Sequence, residues 1–317
     1  MGYRYVGLGK QTDWGSTVAV STYIDIISES MGHTRNMITP QTVGFYSPAA
    51  QCVGLYKPSG SIESLGVADD IMYWLHMLME NTATTPLGGG KYKHEFKPNQ
   101  TVNYYTVSIG KETYERLYNS MFCTSWTVGV ASGEVVTNSF SVLSKEDEIG
   151  SIANPSFSND RAYFHHVGAV VTIGSDTQTA YIKNIEVSIT GNADEDNYCV
   201  GDQTLKGAVR KNYEVTVSAD IRFDTEKELK RFYDGLSTGS TGKGPSTAVS
   251  TFAITITLTD ANSNILVITL PAVVWDTESA NMSEKEHVVE NLTGKCIHDA
   301  TTGAAVKVEL TNNRTGV

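Results

Sequence analysis

An adjacent histidine pair, His165 and His166, is the first place to look for metal chemistry, because imidazole nitrogens ligate zinc and related ions. Two histidines that chelate from one element sit a helical turn apart, whereas neighbours in an extended segment face opposite ways. The pair therefore reads as structural or solvent-facing. The run NADEDN at 192–197 has the acidity of a calcium loop, but Asn197 stands where the sharp-turn glycine belongs and Gln203 where the bidentate glutamate belongs. A solvated loop is the better reading. Gly242-Lys243, within STGSTGKGPST, is reminiscent of a phosphate-binding loop. However, Ser237 occupies the first glycine position, Gly244 follows the lysine in place of a hydroxyl residue, and the loop leaves a helical pattern where the motif must leave a strand. There is no G-x-S-x-G elbow, and no Ser, His and Asp set stands out by spacing. No catalytic, cofactor-binding or metal residues are expected, and an enzyme is the least supported class.

Charge and cysteine usage narrow the classes further. The 317-residue chain carries a formal charge of -11, and both parts share the sign: residues 1–150 hold 10 basic against 14 acidic side chains, the rest 14 against 21. Tight, salt-sensitive gripping of nucleic acid needs clustered Lys and Arg, so it is not expected; an acidic wall past which DNA slides is compatible. Cys52, Cys123, Cys199 and Cys296 are widely spaced, with no C-x-x-C pair. They are expected to be buried free thiols made in a reducing cytoplasm. No signal-peptide pattern and no apolar run of about 20 residues is present, so no membrane anchor is expected and the sequons at Asn99, Asn281, Asn291 and Asn313 read as accidental.

The elements that must position any site are mostly β. YEVTVSADIRF alternates Tyr213, Val215, Val217, Ala219, Ile221 and Phe223 with polar residues, predicting a long half-buried strand. Phe252 to Leu258, the turn DANSN and ILVITLP predict a hairpin. Two helices are expected. DDIMYWLHMLMEN (69–81) is apolar on more than one side, and DTEKELKRFYDGL carries a Thr225/Glu228 capping box and a stripe of Leu229, Phe232, Tyr233 and Leu236. Each helix follows a strand and precedes a Gly-rich connection, PLGGGKYK or STGSTGKGPST. Asp70, Leu75, Leu78 and Met79 match Asp224, Leu229, Phe232 and Tyr233 at one spacing. At a slightly shorter spacing Leu117, Trp126 and Leu143 match Leu266, Trp275 and Leu292. The pattern predicts two similar halves in tandem, 1–155 with an entry arm and 156–317, joined near GSIANPSFSND.

Three segments carry a resemblance. GLGKQTDWGSTVAVSTYIDIISES looks like the entry segment of phage tail tube proteins, the major tail proteins of long-tailed phages. TVNYYTVSIGKETYERLYNSMFCTSWTVGVASGEVVTNSFSVLSKED is similar to that family's middle hairpin, and YIKNIEVSITGNADEDNYCVGDQTLKGAVRKNYEVTVSADIRFDT to its second module. The resemblance implies two tandem β-sandwich or partial-barrel modules, each flanked by one short helix. It also implies a virion tail protein assembled in the host cytoplasm, whose homo-oligomeric rings stack as a hollow tube. That tube holds a tape measure protein and then conducts DNA. Two fused modules imply three chains per ring with pseudo-six-fold symmetry.

A ring offers one use for the apolar helix. Ile71, Trp74, Leu75 and Leu78 can cover the sheet while Tyr73, His76 and Met77 point elsewhere, which makes them, with Trp14, candidate interface residues between copies. The bland reading is that Met72, Met77 and Met79 fill a large core. The alternative function is a monomeric β-sandwich that binds carbohydrate or a cell surface through Trp14 and the Tyr104-Tyr105 pair.

Overall fold

Alternating apolar and polar residues become strands throughout, and a computed structural model describes residues 3–48, 50–157, 161–177, 181–236, 250–281 and 287–316. The fold is mostly β, with two α-helices, α1 (Ala68–Leu78) and α2 (Lys227–Asp234), among the described residues. The STGSTGKGPST loop lies outside those residues.

One antiparallel sheet runs the length of the molecule. In spatial order its eight strands are Gly32–Arg35, Tyr56–Leu65, Thr137–Leu143, the C-terminal part of Tyr114–Ala131, Ile182–Thr190, Glu214–Arg222, Val289–Cys296 and the C-terminal part of Ile265–Asn281. The strands Tyr114–Ala131 and Ile265–Asn281, of 18 and 17 residues, are long because each serves two sheets. The N-terminal part of Tyr114–Ala131 pairs with Tyr105–Glu112 and Glu146–Gly150, and that of Ile265–Asn281 with Phe252–Thr259 and Lys307–Asn312. Register shifts at Ser141/Val142 and Trp275/Thr277 bend the two strands between layers. Ser120, with φ of 51°, sits at a further register shift of the same strand, opposite Tyr105/Val107, its hydroxyl accepting from the Gly15 N–H at 2.7 Å.

The same pairing order appears twice. Tyr3–Lys10 lies beside Tyr105–Glu112 as Ala169–Ile173 lies beside Phe252–Thr259. Tyr56–Leu65 precedes α1 and pairs with Thr137–Leu143, as Glu214–Arg222 precedes α2 and pairs with Val289–Cys296. The apolar side chains of both parts nevertheless form one contiguous core, from Val6 to Leu310.

PLGGGKYK is a hairpin turn rather than an open connection: Glu80–Gly88 and Lys91–Lys97 pair across Gly88, Gly89 and Gly90, all with positive φ. The hairpin's second strand adds to Lys307–Asn312, which ties the early chain to its end. YEVTVSADIRF gives the strand Glu214–Arg222 with Val215, Val217, Ala219 and Ile221 buried, while Phe223 falls beyond it and is exposed.

Three local expectations are corrected. α2 begins after Glu226 with no side-chain cap, and its buried residues are Glu228 and Arg231, because Glu228 turns inward to an ion pair instead of back to the helix start. His165 and His166 open a 3-10 turn rather than a strand, the Val167 N–H donating to His165 Nδ1 at 3.2 Å. All four cysteines are free, but only Cys123 is buried; Cys296 is half-buried, and Cys52 and Cys199 stand in exposed loops.

Candidate functional surfaces

The eight-stranded sheet has two faces of different chemistry. One is core. The other collects the intervening residues of every strand, and these are small and hydroxylated. One row across the sheet runs Ser61, Ser141, Ser125 and Thr190, and the next runs Glu63, Ser139, Thr127, Ser188 and Thr216. The hydroxyls pair across strands, Thr127 with Ser188 at 3.1 Å and Ser30 with Ser61 at 2.8 Å, a contact that holds register without adding bulk. Charges on this face are of both signs: Glu63, Glu186, Glu214 and Asp220 against Lys57, Arg222 and Lys295.

Both ends of this sheet are open. Among the described residues no strand pairs with the outer side of Gly32–Arg35, or with Thr277–Asn281 on the side away from Val289–Cys296. Unpaired N–H and C=O rows of this kind are templates for another strand. Next to the first edge, residues 36–48 and 50–55 leave the body as an arm. Its base is closed by paired bonds between Ile38 and Cys52 of 2.9 and 2.8 Å and by the Asn36 N–H to Leu55 O at 2.9 Å. Gly54 is required there, since a Cβ would stand 1.4 Å from the Asn36 oxygen. The arm exposes Phe45 and holds Val43 and Tyr46 wholly clear of the rest of the chain, at 108% and 114% relative exposure.

The residues singled out by sequence are not together. Trp14 is half-buried, edge-on to Tyr104 with ring centroids 5.0 Å apart. Tyr73, His76 and Met77 lie inside their own chain. Met77 has no exposed area, Arg314 sits over the Tyr73 ring, and His76 Nδ1 is 2.9 Å from the Tyr105 hydroxyl. Burial lowers the His76 pKa to about 4, with Lys10 adding to the effect. The second side of α1 is covered by Lys307–Asn312 and the Glu80–Gly88 strand, so these three side chains have almost no surface left for a second copy. The glycan reading loses its aromatic platform as well, because Tyr105 is buried and Tyr104 half-buried. The edges, the arm and the hydroxyl face escaped sequence reading; the Ser/Thr alternation of SFSVL, SWTVGV and YEVTVSAD was the available signal for the face.

Two clusters of titratable groups sit beside the helices, and neither includes a metal-ligand grouping among the described residues. At the start of α1, Asp70 is buried and its pKa is pushed up to about 7 by desolvation, opposed by Arg161 at 3.4 Å. Beside α2, Arg231 binds Glu228 and, at 2.6 Å, Asp176, while the Trp275 indole N–H donates to Glu228 at 3.3 Å. Glu290, almost fully buried nearby, has one carboxylate oxygen without a hydrogen-bond partner, and burial together with Glu278 and Glu228 raises its pKa to about 7. These groups hold helices in place.

A family model described as phage tail tube protein matches residues 4–296. No curated protein matches the chain.

Proposed function

The chain belongs to the phage tail tube protein family, a structural protein of the virion tail, and we propose that three copies close into a ring whose stacked repeats form a conduit for DNA. Each copy supplies two similar modules, 1–155 and 156–317, so that six modules surround the channel. The observation that carries this reading is the eight-stranded sheet with both ends open and one face given over to hydroxyls.

That face lines the channel. Short Ser and Thr side chains give a smooth polar wall. Without clustered Lys and Arg, passing phosphates release few counterions and do not stick. The chain's charge of -11 adds repulsion that keeps DNA off the wall. A tape measure protein fills the same channel before ejection, and the subunits assemble in the host cytoplasm. The arm at residues 36–48 and 50–55 reaches the adjacent ring, where burying side chains such as Val43, Phe45 and Tyr46 is worth about 1.5–3 kcal/mol each.

Native mass spectrometry and negative-stain microscopy test the proposal together. Rings of three 34.4 kDa chains that stack into tubes are expected. Val43→Ser combined with Tyr46→Ser should leave the rings and shorten or abolish the tubes. A protein that stays monomeric at high concentration, and is absent from the tubes of phage particles, overturns the reading. Rings of six chains overturn the two-module count.

A further inference from the structure

Glu290 is only 1% exposed, and its Oε1 has no hydrogen-bond partner. The fold does not call for a charge there, because the first part of the chain fills the matching place with a neutral amide. The Gly66 N–H bonds Val136 O at 2.8 Å, and the Phe223 N–H bonds Val288 O at 2.9 Å. Two residues on, Asn138 pairs with Ser64 and Glu290 with Ile221. The Asn138 side-chain oxygen accepts from the Trp126 indole N–H at 2.9 Å, whereas Glu290 keeps an acceptor without a donor. Glu290 also lines a cavity of about 190 Å³ between the start of α2, the strand end at Ile221 and Arg222, and Asp176 with Thr177. We propose that this cavity binds a small primary amine in its ammonium form, with the ammonium on the Glu290 carboxylate. The site is independent of the ring reading above.

The surrounding charges leave this acid uncompensated. Arg231 is ion-paired with Glu228 and, at 2.6 Å, with Asp176, and Lys227 holds Asp176 at 3.0 Å. Glu290 meets Glu278 from the adjacent strand, and exposed Asp224 adds a second carboxylate to the cavity wall. Arg222 occupies an outward position of its strand, one residue past inward-facing Ile221. A buried carboxylate in this setting gains from a cation that supplies both charge and hydrogen-bond donors.

The cavity selects among cations. A bare metal ion needs several ligands converging on one point, and the described residues hold no grouping of three His, Cys, Asp or Glu of that kind. An ammonium needs less. One carboxylate takes the charge, and its remaining N–H donors find hydroxyl oxygens, which Thr177 and Thr225 bring to the same wall. The terminal torsion of a glutamate is broad, so the carboxylate turns toward the cavity at little cost. Size points to an organic ion as well. The cavity is several times the roughly 30 Å³ that one water occupies in the liquid, and Ile221 and the Tyr181 ring offer apolar surface to a short alkyl chain.

Proton and amine compete for Glu290. With its pKa raised to about 7, its ionised fraction falls about tenfold between pH 8 and pH 6. A primary amine with a lysine-like pKa of about 10.4 stays charged throughout. Lys227 and Arg231 hold Asp176 below the usual carboxylate range, but burial raises Glu228 as well, so a variant is needed to assign the titration. Equilibrium dialysis of the full chain against radiolabelled n-butylammonium chloride at constant ionic strength is the test. One site per chain is expected at pH 8, with affinity about tenfold lower at pH 6. Glu290→Gln, nearly the same shape, should bind at least tenfold more weakly at pH 8 and lose the pH dependence. Unlabelled tetramethylammonium, which has the charge but no N–H, and magnesium should each compete at least tenfold less well than unlabelled butylammonium. The pH series on the unaltered chain decides the matter even if Glu290→Gln does not fold. No saturable uptake at pH 8, equal affinity at pH 6 and pH 8, undiminished binding by a folded Glu290→Gln chain, or equal competition by tetramethylammonium or magnesium overturns the inference.

Discussion

Helices α1 and α2 stand at the same point of a repeated strand order, yet they are held by opposite means. In α1 every residue but Asp69 is buried, and Trp74 stacks on Phe140 at 5.0 Å. The nearby Trp126 indole N–H donates to a neutral partner, Asn138, at 2.9 Å. In α2 only Glu228 and Arg231 are buried, and the Trp275 indole meets the carboxylate of that ion pair. Coverage explains the contrast. The hairpin Glu80–Lys97 and the strand Lys307–Asn312 close over α1, so apolar side chains on its second side are removed from water, whereas α2 packs chiefly on Ile265–Asn281. A helix covered on one side keeps polar residues elsewhere, and those that turn inward must be paired.

The largest effects should come from breaking each device. Trp74→Ala should cost about 3–5 kcal/mol through a large cavity. Arg231→Ala should cost about 3–5 kcal/mol by leaving Glu228 and Asp176 without their guanidinium. Urea denaturation separates the two by rescue: Glu228→Gln in the Arg231→Ala background should recover part of the loss, while no polar change near Trp74 should. An Arg231→Ala cost below about 1 kcal/mol would break the comparison, since it would show that apolar packing holds α2 as well.

Proton linkage gives a smaller and more selective contrast. The Glu290 pKa is raised by burial to about 7. Its favourable contribution is complete below the unfolded value and is lost as pH rises through about 7. Glu290→Gln should therefore stabilise the chain at pH 8 by on the order of 1–3 kcal/mol and leave it unchanged near pH 4. His76 has the opposite sign. With its pKa lowered to about 4, its contribution is present above the unfolded value of 6.5 and is lost as pH falls through about 4. Thermal melts of His76→Gln should accordingly show a flatter acid limb. Smallest of all, Lys230→Ala removes an exposed pair with Glu226 and should move stability by no more than about 0.5 kcal/mol. A larger shift would mean that the α2 ion network extends to its surface.

Much of the fold could be read along the chain. Strict alternation placed Val215, Val217, Ala219 and Ile221 on one face, and the apolar run 69–81 marked α1. What covers the second side of α1 is only partly local: the strand Glu80–Gly88 follows directly, but Lys307–Asn312 comes more than 200 positions later, which no local pattern reports. At α2 the pattern rule itself misled. Leu229, Phe232 and Tyr233 looked like the buried stripe, but they are half-exposed, and Glu228 with Arg231 took the interior because a partner, Asp176, waited on a distant strand.

By itself, then, the sequence determined the β class, the two helices, the sparse and acidic charge, and the order of elements that suggested duplication. These follow from periods of two and of about 3.6 residues and from side-chain type, which are properties of neighbouring positions. Only the tertiary structure decided which strand edges stay unpaired, which face of the sheet is hydroxyl-rich across many strands, and what covers each helix. Those depend on strand order and register, where residues far apart in the chain become neighbours and a shift of one position would turn every side chain to the other face.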